Sequence, residues 1–148
     1  MTLNKNISIK NIKIGKGVEI IEPVNLYECT IEDNCFIGPF VEIQRGSIIK
    51  KNTRIQSHSF ICESVLIGEN SFIGHGVMFT NDKFLNNKLI NDGNFLSTRV
   101  GNNVLIGSNS TILPVIIEDN VTIGAGSVVT KNCMKSKIYF GNPAKEKK

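Results

Sequence analysis

The stretch "IGPFVEIQRGSIIKKNTRIQSHSFI" (37–61) returns isoleucine at every sixth position: Ile37, Ile43, Ile49, Ile55 and Ile61. Outward from it, the same beat runs back through Ile31, Leu26, Ile20 and Ile14, and forward through Ile67, Ile73 and Phe79. It resumes at Val100, Ile106, Ile112, Ile117, Ile123 and Val129. Two steps, Leu26 to Ile31 and Ile112 to Ile117, take five residues instead of six. A helix needs apolar spacing near 3.6 and a hairpin sheet needs period two, so period six fits neither. It fits a two-residue strand followed by a tight corner, repeated.

Three such hexads close a triangular coil of eighteen residues. The residue four after each anchor is small or β-branched, as at Val41, Ser47, Thr53, Ser59 and Val65. It fills the space left at the inner corners. Cys35 and Cys133 fall at this small position, which favours a structural role for both thiols. Glycine often follows the anchor and asparagine often sits at the corner, and both tolerate left-handed backbone angles. The anchors make about six coils, or a prism roughly 29 Å tall. Its open ends need covers, expected from residues 1–13 and from the segment after Val129.

The totals agree with one domain over 1–148. Seventeen basic and thirteen acidic residues give a net charge of +4, and the basic residues are dispersed except at the end. Nucleic acid is not indicated. The four cysteines have no zinc-finger spacing, and the first ten residues hold no apolar signal core. No run approaches a membrane span. The expectation is a cytoplasmic protein with reduced thiols, no metal and no membrane partner.

The beat stops at Phe79 and returns only at Val100, which leaves a protruding loop at about residues 80–99. A loop of that length is commonly functional or disordered. On regular coils, residues eighteen apart stack on one face. Arg45, Glu63 and Asn81 then form a column, with Asp82 beside its end and Glu28 at its start once the short step is allowed for. The spacing fits a site walled by the loop. It fits equally a solvated charge ladder beside a loop that contacts a neighbouring subunit.

The repeat resembles the hexapeptide-repeat acyltransferases over residues 14–143, and "IGAGSVVTKN" with "YFGNPAK" is similar to their closing coil and exit. Met134 departs from the proline common there. The resemblance implies an all-β, left-handed parallel β-helix with a short C-terminal extension. It also implies a homotrimer with active sites between prisms, and acetyl-CoA as co-substrate. Within the family, "IQSHSFICE" followed by "FIGHGVMFTND" is similar to the N-acetyltransferases of nucleotide-linked 3-amino sugars. That branch serves bacterial surface polysaccharides and surrounds the sugar's amino group with a glutamate and an Asn-Asp pair. The matching positions are Glu63, Asn81 and Asp82. Related 4-amino-sugar enzymes often carry an extra N-terminal nucleotide-binding domain; the short stretch before Ile14 makes the 3-amino branch the expectation.

The resemblance implies Arg45, His58 and His75 as substrate contacts, Arg45 pairing with Glu63 or meeting a diphosphate. Gly124, Ala125, Gly126 and Lys131 would line the CoA groove, with Lys137, Asn142 and Lys145 near its nucleotide end. His75 stacks on Ser57, not on a carboxylate. It is the candidate base if the acceptor is a hydroxyl, as in the family's O-acetyltransferases. A non-catalytic β-helical scaffold is the remaining alternative. The family's zinc carbonic anhydrases need three histidines, and this chain has two.

Overall fold

The computed structural model describes residues 8–90 and 94–148. Short parallel strands stack into three sheets of seven, six and eight strands. The first runs through Ile9–Lys10, Asn25–Tyr27, Glu42–Ile43, Phe60–Ile61, Met78–Phe79, Thr111–Ile112 and Val128–Val129. The second holds the Ile31, Ile49, Ile67, Val100 and Ile117 strands, and the third the Ile37, Ile55, Ile73, Ile106 and Ile123 strands. Consecutive strands along the chain fall in consecutive sheets, so the backbone winds around a triangle. This is the expected left-handed parallel β-helix.

Anchor stacks on anchor, Ile43 on Ile61 and Ile55 on Ile73, and these side chains are wholly buried. Each contributes roughly 1.5–3 kcal/mol by leaving water. The corners turn on left-handed residues, mostly asparagine: Asn34, Asn52, Asn70, Asn103 and Asn120 all have φ between 54° and 59°. Some of these amides form a ladder, with Asn34 donating to Asn52 and Asn52 to Asn70. Gly107 sits where a Cβ would meet the backbone nitrogen of Ala125 in the next coil.

The small interior position has a polar duty. Ser47, Thr53 and Ser59 each donate a 2.8 Å hydrogen bond to a carbonyl one coil up, at Cys62, Gly68 and Gly74. The same hydroxyls accept from the N–H of Val65, Ser71 and Val77. Each hydroxyl therefore satisfies two backbone groups that a buried corner would orphan.

Four expectations are corrected. There are about seven coils, because the helix begins with Ile9–Lys10 in the first sheet. Of the cover expected over 1–13, residues 8–13 belong to that first coil, and 1–7 lie outside the described residues. The chain also does not leave the prism after Val129. Cys133 bridges to Ile117, so it continues an anchor column and not the small one. Ile138–Phe140 then adds to the third sheet, and only Lys145–Glu146 folds back against it. The five-residue step shifts the phase at Thr30, which lies on the outer face, and Cys29 is buried in its place.

All four cysteines are free and buried. Burial pushes the Cys62 thiol from its usual value near 9 up to about 12, and Cys29 and Cys133 up to about 11. At pH 8 the native protein should resist a thiol reagent at all four sites, with full labelling after denaturation, as read by mass spectrometry. The raised values also mean that this contribution to stability is intact below pH 9 and is lost as pH rises toward 11–12. Thr53→Val keeps volume but orphans the Gly68 carbonyl and the Ser71 N–H. It should cost about 2 kcal/mol in denaturant unfolding, whereas Thr30→Val on the outer face should stay within about 0.5 kcal/mol.

Candidate active site at the loop corner

The corner between the first and second sheets carries the column expected from the spacing. Leu26, Ile43 and Ile61 are stacked, and Phe60 pairs with Met78 in the coil above. Two residues past each anchor stand Glu28, Arg45, Glu63 and Asn81. Arg45 Nε meets Glu28 Oε2 at 2.8 Å. Arg45 therefore pairs one coil down, not with Glu63. Both partners are largely exposed, so the pair adds little stability. Its effect on the site is to leave Glu63, half-buried, without an ionic or hydrogen-bond partner among the described residues.

Tyr27 was missed by sequence reasoning. Burial raises its phenol above the usual value, and the negative charges of Glu42 and Glu63 add to the rise. It stands one residue past Leu26, in a column with Gln44, Cys62 and Thr80. The eighteen-residue step that produced the Glu63 column yields this one too.

The chain leaves the prism after Met78–Phe79 and rejoins it at Thr98–Val100. Its neck is closed by the Leu96 N–H donating to the Asn81 carbonyl at 3.0 Å. Asp82 organises the outgoing half. One carboxylate oxygen accepts the Phe84 N–H at 2.7 Å and the other accepts the Ile90 N–H at 2.8 Å. A 3₁₀ turn at Leu85–Asn87 lies between these two anchor points. Under the loop is a cavity of ≈ 470 Å³. Thr80, Asn81, Asp82 and Lys83 are its polar lining, and its other walls include Phe84, Leu89, Ile90, Phe95 and Leu113. At the two roots of the loop, the hydroxyls of Thr80 and Thr98 are buried without a partner among the described residues.

The histidines occupy another corner, between the third and first sheets. Ser57 Oγ lies 2.8 Å from His75 Nδ1, and the His75 N–H reaches Ser108 Oγ at 3.2 Å. The His58 ring stacks on Phe40 at 4.8 Å, 16° from parallel. Ala125 and Gly126 continue the same corner, since the Gly126 N–H donates to the Ser108 carbonyl. A Cβ on Gly126 would meet nothing within 4 Å, so that corner is open to an approaching ligand. Lys131, two past Val129, is instead on the loop corner. Lys137 is tied to Glu146 at 2.9 Å in the terminal fold-back, which also holds Lys145. Within one chain, then, Glu63 and Asn81 take the same corner position in successive coils and Asp82 follows Asn81 into the loop, while His58, His75, Gly124, Ala125 and Gly126 lie at the other corner.

Two family models fall on the repeats. One, "Bacterial transferase hexapeptide (six repeats)", matches residues 28–63, and "Hexapeptide repeat of succinyl-transferase" matches residues 97–131. The two matched stretches are hexapeptide repeats of the bacterial transferase type. Among curated proteins the chain is 34% identical over 148 residues to the bifunctional protein GlmU of Streptococcus uberis, covering 94% of this chain and 32% of that one. The chain spans about a third of the length of such relatives. Among solved hexapeptide-repeat structures, the acetyltransferase domain of PglB from Neisseria gonorrhoeae, in complex with acetyl coenzyme A, superposes with a TM-score of 0.67 at 18% identity. That match covers 92% of this chain and 57% of the other. AntD, an N-acyltransferase from Bacillus cereus in complex with dTDP-4-amino-4,6-dideoxyglucose and coenzyme A, gives 0.50 at 24%, covering 96% and 83%. At these identities the structures establish the shared hexapeptide-repeat fold. Among the described residues no helix is long and apolar enough to cross a membrane.

The two hydrogen bonds to Asp82 are charge-assisted, each worth about 1.5–3 kcal/mol. Asp82→Ala should therefore raise the rate of limited proteolysis within residues 83–90 by at least tenfold. Cooperative unfolding of the prism should shift little, since no core anchor is touched.

Proposed function

We propose that this chain is an acyl-CoA-dependent N-acetyltransferase acting on the 3-amino group of a nucleotide-linked (dTDP or UDP) amino-deoxy sugar. It would serve bacterial surface-polysaccharide synthesis in the cytoplasm, as a homotrimer with sites between subunits. The observation that carries the reading is Glu63: a half-buried carboxylate without a partner among the described residues, one coil below Asn81, at the root of the loop. A lone carboxylate beside an amide is what an amine acceptor needs. Only the neutral amine can attack, and a carboxylate in hydrogen-bond reach orients it and takes or relays its proton. Asn81 offers both a carbonyl oxygen and an NH₂ to the same end.

In the reaction, the amine nitrogen attacks the thioester carbonyl carbon and a C–N bond forms. The tetrahedral intermediate collapses, the C–S bond breaks, and CoA leaves as the thiolate. The proton shed by nitrogen passes to Glu63 or directly to that thiolate, giving the thiol. Positioning supplies much of the rate, on the order of several kcal/mol. Asp82, with both oxygens engaged by the loop, contributes by shaping the site. The CoA groove belongs at the open corner of Gly124, Ala125 and Gly126, with Lys137, Asn142 and Lys145 toward its nucleotide end, and Lys131, on the loop corner, would line it only from a neighbouring copy. Arg45, His58 and His75 contact the nucleotide-linked sugar. The support from known proteins is that the PglB domain is found with acetyl coenzyme A and AntD with a nucleotide-linked amino sugar.

A hydroxyl acceptor is favoured by one observation, the Ser57–His75 bond: in the tautomer whose Nδ1–H donates to Ser57 Oγ, Nε2 carries the lone pair a base needs. A thiol-release assay with acetyl-CoA and a panel of nucleotide amino sugars, each beside its hydroxyl analogue, separates the two. The amine should turn over and its analogue should not. Glu63→Gln and Asn81→Ala should each lower kcat by about 10–100-fold with assembly intact by size exclusion. Undiminished kcat in both variants sinks this site, and turnover abolished by His75→Asn with the hydroxyl analogue as substrate establishes the alternative.

A further inference from the structure

The cavity under the loop is far larger than acetyl transfer requires. An acetyl group carries one methyl beyond its carbonyl, and the cavity measures ≈ 470 Å³. Its apolar walls, among the described residues, are Phe84, Leu89, Ile90 and Phe95 from the loop and Leu113 from the prism. These side chains offer no donor or acceptor. A polyhydroxylated ring pushed among them would give up hydrogen bonds to water without replacement, a substantial penalty for every hydroxyl. An alkyl chain gives up none.

The polar lining, among the described residues, is the consecutive run Thr80, Asn81, Asp82 and Lys83. Asp82 is committed to the loop, because its two oxygens hold the N–H groups of Phe84 and Ile90. The same clasp fixes two of the apolar walls in place. Asn81 is at once a wall of the cavity and, in the reading above, a partner of the attacking amine. The thioester carbonyl has to meet that amine. Whatever extends from the carbonyl then has this cavity as its apolar neighbour.

We infer that the loop cavity is an acyl pocket, and that the chain binds CoA thioesters of about four to six carbons more tightly than acetyl-CoA and transfers them as well. The inference rests on the N-acyltransferase reading. The chemistry is unchanged by chain length: nitrogen bonds to the acyl carbon, the C–S bond breaks, and CoA departs as the thiol with the proton lost from nitrogen.

The test is calorimetric titration of the full chain with acetyl-, butyryl- and hexanoyl-CoA. Each methylene that enters the pocket should tighten binding about fourfold, which makes butyryl-CoA about 15-fold tighter than acetyl-CoA. Leu89, 77% exposed, can be enlarged without disturbing the core. Leu89→Trp should bring the butyryl-to-acetyl affinity ratio close to one, and Leu113→Phe, from the opposite wall, should do the same. A flat series with acetyl-CoA bound overturns the pocket and leaves the transferase reading standing. A chain-length advantage that survives both substitutions also overturns the pocket. Failure to bind any of the three thioesters removes the transferase reading, and the pocket with it.

Discussion

Everything in this molecule depends on parallel stacking at a fixed interval. The N–H of one coil donates to the carbonyl of the coil above, as from Glu42 to Ser59 and from Phe60 to Val77. Outside the coil that carries the loop the interval is sixteen to eighteen residues, and it turns distance along the chain into height along the prism. Residues that share a phase share a wall. Phase is robust because an anchor moved out of register would point at water and expose an isoleucine, while the corner asparagine would lose its left-handed site. Hydrophobic burial and backbone pairing therefore select one winding.

The interior hydroxyls show how narrow the tolerance is. A triangular coil bends its backbone three times per turn, and each bend threatens to bury unpaired amides. Ser47, Thr53 and Ser59 resolve this by accepting from one coil residue and donating to another. Valine at equivalent positions fills the space without that link. Alternation of the two types lets the prism be both dry and saturated with hydrogen bonds. Such a rigid wall is a good base for a mobile chemistry, because a loop grafted at one corner inherits a fixed root.

The same logic decides how much was legible beforehand. Glu63 and Asn81 could be placed together because both obey the repeat. Tyr27 obeys it too and was overlooked only because its column was not followed. The first and last coils were hidden for a physical reason. Ile9 precedes a five-residue step, and the last turn is built on Cys133 and Tyr139, which are not the aliphatic anchors the pattern sought. The clasp from Asp82 to Ile90 lies beyond any periodic reading, because it spans eight residues of loop whose shape follows from one carboxylate finding two amides. The pairing of Arg45 with Glu28 was equally open, since the column places it between two carboxylates and only side-chain reach selects one.

A consequence of the triangle bears on assembly. Glu63 and Asn81 stand at one corner, and Ala125, Gly126 and His75 at another. A side of the prism is about six residues, so the two corners are separated by roughly 15–20 Å. Acyl transfer needs the amine and the thioester carbon about 3–3.5 Å apart. A side chain cannot bridge that gap across a rigid sheet, and CoA lying along the Gly126 corner cannot deliver its thioester to the Glu63 corner of the same chain without crossing a full face. If the amine is held at the loop corner and CoA at the open corner, a second copy must bring its open corner beside the first copy's loop. Three copies around an axis, each presenting its open corner to the next copy's loop corner, give every loop such a partner. The threefold shape of the coil and a threefold assembly would then have a single cause, the separation of two half-sites on one rigid triangle.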